Sequence, residues 1–410
     1  MTKHSRPDHI RRKLGLRPVI NVSGTMTSLG ASIVVPQAVE AVSAILGEFV
    51  EMGDLHRRAS TVIAQLTGAE AGFITASCSA AISLAVAACM TGPNLWAIER
   101  LPDTSGLKDE VLIQSGHMIS YGAPVEQAIR LTGAKVVPVG QATSASAYHL
   151  AGAITDRTAA AVFVVSHHVV DYAQIPLAIF AEVAHARGVP VIVDAASEYD
   201  LTGFLAAGAD LVLYSGHKFL GGPTSGIVAG PKERVRDVYL QNRGIGRGMK
   251  VGKEGIVGAL AALQAWKVRD HDAIRARERR ALDCWIETLE GRPGVNVSIE
   301  PDPTNNPLDR LKLTIDPAQA RITAWDLADR LAAGDSPVIV RDHEVEHGYL
   351  LLDPCNLHPD EEFVVAARLG EELDVARKSN EIIATPFNER VLASEAAILN
   401  WPDCRHATAV

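Results

Sequence analysis

The sequence predicts an α/β protein: a mostly parallel sheet of seven strands with helices on both faces, followed by a smaller α+β domain. Three observations carry this. Between about Gly72 and Gly230, seven short β-rich runs alternate with amphipathic stretches, the pattern of a parallel sheet covered on both sides. After about Glu254 the pattern turns long and helical, then alternates again in a shorter block. The chain has 410 residues and is 47% hydrophobic, enough for a large core and for more than one domain.

In chain order, residues 1–70 hold two helical stretches, assigned to the substrate side or a subunit interface. Residues 71–255 form the large domain. Its runs are AGFITA, EVLIQS, AKVVPV, AAVFVV, VPVIVDA, ADLVLYS and SGIVAG. Their apolar residues are continuous rather than alternating, as in strands buried on both faces. Between them, LAIFAEVAHARG (Leu177 to Gly188) is apolar at helical spacing and closes on glycine. AAISLAVAACM (Ala80 to Met90) reads as a buried helix. Residues 256–290 are expected to be one linking helix. The small domain, 291–378, contains VNVSIE, RLKLTI, a helix around AWDLADRLAAG, then SPVIVRD, GYLLLD and a helix from Pro359. The tail, 379–410, carries no motif. There are no internal repeats or low-complexity segments.

Composition narrows the function. The net charge of -9 argues against nucleic-acid binding, which rests on cationic contacts to phosphate. No apolar run approaches the roughly 18 residues of a membrane span. The basic start, KHSRPDHIRRKLGLRP, lacks the apolar centre of a signal peptide. Five cysteines (Cys78, Cys89, Cys284, Cys355, Cys404) are odd in number and scattered, which fits a reducing cytoplasm.

The chemistry is concentrated at strand ends, where open α/β sheets bind ligands. DLVLYSGHKFLGGPTSGIVAG, from Asp210 to Gly230, sets one lysine, Lys218, between an apolar run and a glycine cluster. Lysine is almost never fully buried unless paired, and desolvation is how a lysine becomes a nucleophile. Ser215 and His217 precede it. Asp194 ends the run VPVIVDA. A strand-end aspartate alone is more often a cap. Followed by S-x-H-K, it fits a carboxylate that pairs with the ring nitrogen of pyridoxal phosphate, with the lysine holding the aldehyde. Ser77, Cys78 and Ser79 lie between a strand and a helix, where free N–H groups favour phosphate; alone, an ordinary serine cap is the simpler account.

With these residues in view, the chain resembles the fold type I pyridoxal phosphate enzymes. SGHK with the upstream Asp194 is similar to the class V aminotransferase and cysteine desulfurase group. GADLVLYSGHKFLGGPTSGIVAG resembles selenocysteine synthase. The sister group of D-glucosaminate-6-phosphate ammonia-lyases is closer, through VINVSGTMTSLG (Val19 to Gly30), FVEMGDLHRRAS (Phe49 to Ser60), ITASCSAAISLAVAAC (Ile74 to Cys89), VSHHVVD (Val165 to Asp171), GIGRGMKVGKEGIVG (Gly244 to Gly258) and VRDHEVEHGYLLLDP. The resemblance covers roughly residues 10–370.

It implies that Lys218 is the Schiff-base lysine and Asp194 the partner of the pyridine nitrogen. Ser77, Cys78, Ser79, Ser215 and His217 stand as cofactor ligands, His117 as the ring-stacking side chain, and His168 as the group facing the phenolic oxygen; His117, His168 or Lys218 would supply the proton to a departing β-hydroxyl. Arg341 stands as the ligand of the substrate carboxylate, which an arginine fork binds bidentately. Arg247, Lys250 and Lys253 suggest an anion site near the cofactor. Thr25, with Asn21, Ser23 and His56, is a candidate for the substrate pocket. At least a homodimer is expected.

Several patterns mislead. HEVEH (His343 to His347) matches the zinc-protease pattern letter for letter, yet that motif needs a helix, and here it joins two strand-like runs. The pair His167–His168 has no third metal ligand at suitable spacing. GRGMKVGKEG lacks the spacing of a phosphate loop and has Glu254 where Ser or Thr should follow the lysine.

The resemblance implies elimination of water and ammonia from a 2-amino-3-hydroxy acid, with D-glucosaminate 6-phosphate as substrate and 2-keto-3-deoxygluconate 6-phosphate as product. The same residues are compatible with a retro-aldol lyase, a racemase, a selenium or sulfur transferase, or a pyridoxal phosphate-binding protein that is no enzyme. A cysteine desulfurase would need a nucleophilic cysteine; Cys355 is the candidate.

Overall fold

The computed structural model describes residues 8–403. Cys404 lies outside them. Twelve strands are described: β1 (Ile20–Val22), β2 (Ala71–Thr75), β3 (Glu110–Gln114), β4 (Lys135–Val139), β5 (Thr158–Val164), β6 (Val191–Asp194), β7 (Leu211–Ser215), β8 (Gly226–Gly230), β9 (Val295–Pro301), β10 (Asp309–Ile315), β11 (Val338–Val340) and β12 (Tyr349–Leu352). The chain divides into two compact units. One runs from Gly30 to Arg269; the other joins the described residues up to Leu29 with those from Asp270 onward.

The larger unit is built on a seven-stranded sheet in the order β2-β8-β7-β6-β5-β3-β4. All neighbours from β7 to β4 are parallel, and β8 is antiparallel to both β7 and β2. All seven runs read from the sequence are strands. Successive side chains point to opposite faces. Val111 and Ile113 therefore join one buried layer with Ile82 and Leu84, while Leu112 joins the other with Ile63 and Phe180. The helix Cys78–Thr91 is buried almost all round, as its uniformly apolar sequence requires.

In the smaller unit, β12-β10-β9 form an antiparallel sheet and β1 pairs in parallel with β11. Their core includes Val22, Trp285, Leu311, Leu331, Leu350 and Leu369. Each small-domain run read from the sequence is a strand, and Ala324–Ala332 and Glu361–Lys378 are the expected helices.

Two boundaries differ from the expected ones. The linking helix is two helices, Lys253–Lys267 and His271–Leu289, because the Asp270 side chain accepts a bond from the Ala273 N–H and starts a second helix. The first 70 residues are shared: Ile20 pairs with Val338, whereas Pro36–Leu46 packs on Lys253–Lys267 within the larger unit. The tail contains a helix, Phe387–Leu399, held by Arg390 on Asp329 and Asp342.

Candidate functional site

In the larger unit, β6 and β7 run side by side and end together, bringing Asp194 opposite Leu213. The chain leaves β7 through Gly216 and His217 to Lys218. This turn is held from both ends: the Ser32 hydroxyl donates to the carbonyls of His217 and Lys218 at 2.7 and 2.6 Å, and the Gly221 N–H donates to Lys218 O at 3.0 Å. Lys218 is half-buried and Asp194 is buried. Burial raises the Asp194 carboxyl above its ordinary range. Lys218, a thiol hydrogen bond from Cys78 and the Ala196 N–H pull it back only in part. Asp194 is thus a buried carboxylate that forms no ion pair closer than 4 Å among the described residues, a site suited to a ligand cation.

Cys78 opens the helix Cys78–Thr91, and its Sγ lies 3.5 Å from Asp194 Oδ1. Burial pushes the thiol well up, with Asp194 adding to the shift, so it stays protonated and donates. Ser77 is the cap of that helix, accepting from the Ala80 N–H at 3.0 Å. The Ser79 hydroxyl lies 3.1 Å from the Tyr121 hydroxyl. Gly226 of β8 passes so close that an added Cβ would sit 2.3 Å from Ser77 O and from Thr75 Oγ1. Ser215 is buried, with its hydroxyl 3.2 Å from His217 Nδ1. Burial, then the charge of Lys218, lowers the His217 pKa.

Tyr121 is the residue that sequence reading missed. Burial raises its phenol, the Ser79 bond opposes this, and the Asp194 charge adds to it. It lies four residues beyond His117 in IQSGHMISYG, so its place in the strand-end run was the available signal.

The other expected residues lie in varied settings. His117 is buried, edge-on to Phe163 at 4.6 Å, and its Nδ1 accepts the Val164 N–H at 3.1 Å. Burial lowers its pKa to about 4, so it is neutral near pH 7. His168 is exposed in the turn after β5. Arg247 and Lys250 are exposed. Lys253 is committed elsewhere: its ammonium donates to Leu46 O at 3.0 Å and to Glu48 O, at the end of the helix Pro36–Leu46, because a cation there neutralises the helix terminus. His56 does not join Asp194. It packs on Phe73 and Tyr239 at 4.9 and 5.8 Å, on the wall of a separate cavity of about 230 Å³ that also takes in Arg57, Lys232 and Arg236.

In the smaller unit, Arg341 follows β11 and is half-buried. Burial lowers its pKa to about 10, with Arg310 adding to this. Asn21 closes a short turn by donating to Gly24 O at 2.8 Å and accepting from Ser23; Thr25 follows it, half-buried. HEVEH holds only the short turn Val345–His347 between β11 and β12, so no helix carries both histidines. Burial and Asp353 push the Cys355 thiol well up, which leaves it a protonated, poor nucleophile.

The family model described as SelA, L-seryl-tRNA selenium transferase, matches residues 19–279. The chain is 36% identical to D-glucosaminate-6-phosphate ammonia lyase from Salmonella typhimurium (strain 14028s / SGSC 2262), over 88% of this chain and 97% of the relative. It is 37% identical to 5'-C-glycyluridine monooxygenase-decarboxylase from Streptomyces sp, over 88% and 91%. L-seryl-tRNA(Sec) selenium transferase from Serratia proteamaculans (strain 568) is 27% identical, over 87% and 83%. Among solved structures, that of D-glucosaminate-6-phosphate ammonia-lyase superposes with a TM-score of 0.81 at 36% identity, covering 90% of this chain and 98% of the other. An Exiguobacterium sp. 255-15 protein titled a putative aromatic amino acid beta-eliminating lyase/threonine aldolase shares the fold at a TM-score of 0.57 and 18% identity, covering 86% and 96%.

Proposed function

Since the chain belongs to the L-seryl-tRNA selenium transferase family of fold type I enzymes, in the group that includes D-glucosaminate-6-phosphate ammonia lyase, we propose that it is a pyridoxal phosphate-dependent lyase. It eliminates water and ammonia from a 2-amino-3-hydroxy acid, with D-glucosaminate 6-phosphate as the substrate and 2-keto-3-deoxygluconate 6-phosphate as the product. The observation that carries this is the buried Asp194 carboxylate, raised by burial, close to the one lysine of the β7 turn.

The residues fit the cofactor. A protonated ring nitrogen would give Asp194 the cation it lacks. Ser77, Ser79, Ser215 and His217 would hold the phosphate with the N–H groups of the helix start, and Tyr121 adds a hydroxyl beside Ser79. Cys78 serves Asp194 rather than the phosphate. His117, neutral and fixed by Val164, offers a rigid wall, and His168 is proposed to face the phenolic oxygen. When bound, pyridoxal phosphate supplies a ring that withdraws the electron pair left at Cα.

The remaining work falls to the chain's own groups. The Lys218 amine takes the Cα proton. The same nitrogen, now an ammonium, returns a proton to the departing β-hydroxyl. His117 is unsuited to that step, since it carries no extra proton near pH 7. Arg341 is proposed to take the substrate carboxylate, with Thr25 in the substrate pocket and the exposed Arg247 and Lys250 as ligands of a substrate phosphate. The overall change converts CHOH–CH(NH2) into CH2–C=O with loss of ammonia; the water lost in elimination is regained in hydrolysis. A cytoplasmic homo-oligomer is the expected form; no helix among the described residues is long and apolar enough to cross a membrane.

The similarity to the Streptomyces relative, whose name states a monooxygenase-decarboxylase, favours one second reading, oxidative decarboxylation at the same cofactor. The test is ammonia and 2-keto acid release from D-glucosaminate 6-phosphate, D-glucosaminate, D-serine and L-serine, with and without oxygen. Oxygen-independent release from the phosphorylated acid supports the lyase. Oxygen uptake with carbon dioxide loss supports the second reading.

A further inference from the structure

The smaller unit holds a buried charge cluster that the chemistry above does not use. Arg310 on β10 is 5% exposed. Its Nη1 donates to Asp302 Oδ2 at 2.8 Å and its Nε to Asp353 Oδ2 at 2.9 Å. The other oxygens are occupied too. Asp302 Oδ1 accepts from the Thr304 hydroxyl at 2.7 Å and N–H at 3.1 Å, and from the Asn306 side chain at 3.2 Å. Asp353 Oδ1 accepts from the Cys355 N–H at 2.9 Å. Arg310 therefore holds one oxygen of each carboxylate, and chain groups hold the other.

Arg341 reaches the strand of Arg310 through β12, since Leu351 pairs with both Arg341 and Lys312 of β10, and the charges of Asp302 and Asp353 favour its own while Arg310 opposes it. Its backbone pairs with Leu351, but its guanidinium forms no hydrogen bond or ion pair with the described residues of its unit. A half-buried guanidinium beside two aspartates would normally be captured by one of them. Here Arg310 has taken both.

We propose that Arg310 is a positioning residue that, by occupying Asp302 and Asp353, keeps the Arg341 fork uncommitted for the carboxylate of an amino-acid substrate. The substrate half of this rests on the reading of Arg341 given above; the Arg310 half stands on the cluster alone. Without Arg310 the two carboxylates turn to the remaining arginine, and an internal ion pair competes with the ligand.

The test is the rate at which phenylglyoxal, a dicarbonyl that condenses with uncommitted guanidinium groups, modifies Arg341 in the full chain, followed by peptide mass mapping. R310K leaves one compact cation for two carboxylates, and R310Q/D302N leaves Asp353 with no cation but Arg341. Both are expected to slow modification at least about threefold, by the strength of a charged hydrogen bond. R310Q/D302N/D353N removes both aspartate competitors and is expected to return to within about twofold of the parent. The two slowing variants are independent, so misfolding of one leaves the other to decide. An unchanged rate in the folded variants overturns the proposal, as does a slow rate in the triple variant. With D-glucosaminate 6-phosphate, the KM is expected to rise in R310K with kcat little changed. Failure of that substrate to protect Arg341, or an unchanged KM in R341M, removes the substrate role of Arg341 and leaves the Arg310 result standing.

Discussion

Cys78 and Asp194 meet in the core of the larger unit: the thiol Sγ lies 3.5 Å from the carboxylate Oδ1. Burial, then the charge of Asp194, raises the thiol well above its ordinary pKa, which keeps it a donor near neutral pH. Asp194 is held above its ordinary pKa by burial, so each donor extends the range over which it is ionised. C78A is expected to weaken pyridoxal phosphate binding about fivefold, the worth of roughly 1 kcal/mol. C78S, which keeps a donor, stays near the parent. Titration of the cofactor's visible absorbance measures both; equal affinity in all three proteins contradicts the assignment.

In the proposed reaction Lys218 and Asp194 carry different parts. K218A is expected to lose measurable turnover while its thermal unfolding stays within a few degrees of the parent, since the side chain is half-buried and its turn is held by Ser32 through the backbone. D194N is expected to lower turnover by at least about a hundredfold, with the cofactor still bound. Steady-state ammonia release reads both.

Gly226 is placed by contact rather than by a special backbone angle. An added Cβ would meet Ser77 O and Thr75 Oγ1 at 2.3 Å. G226A should force β8 away from the start of the helix Cys78–Thr91 and destabilise the chain by about 1–3 kcal/mol. Denaturant unfolding of the cofactor-free protein checks this, and an unchanged midpoint argues against the close approach.

Glu278 gives the smaller unit a pH dependence. Burial pushes it up to about 7 despite Arg275 at 2.9 Å. The folded state then holds its proton longer than the unfolded chain, whose ordinary value is 4.5. Stability present below about 4.5 is lost as pH rises through about 7, on the order of 3 kcal/mol. E278Q, which cannot titrate, should show a flatter stability profile over that window. Parallel profiles would contradict the burial argument.

The seven strands of the large sheet were legible because their apolar residues are continuous, and so was the place of Asp194 and Lys218 at and just after the ends of β6 and β7. Other features depend on contacts between distant residues. Tyr121 follows the strand-end run that holds His117, which was its one signal, but its contact with Ser79 is made by the fold. Lys253 reads as part of a basic anion loop, yet its ammonium is taken by carbonyls at Leu46 and Glu48. The division of the first 70 residues follows from the pairing of Ile20 with Val338. The break before His271 was signalled by Asp270, a helix-starting residue within a pattern otherwise read as continuous.

The most direct measurement runs the reaction on D-glucosaminate 6-phosphate in D2O and examines the keto acid by NMR beside the ammonia released. Elimination with proton removal at Cα predicts one ammonia per keto acid, deuterium at C3, an intact carboxylate and no need for oxygen. A product lacking its carboxylate, or one formed only with oxygen, would contradict it.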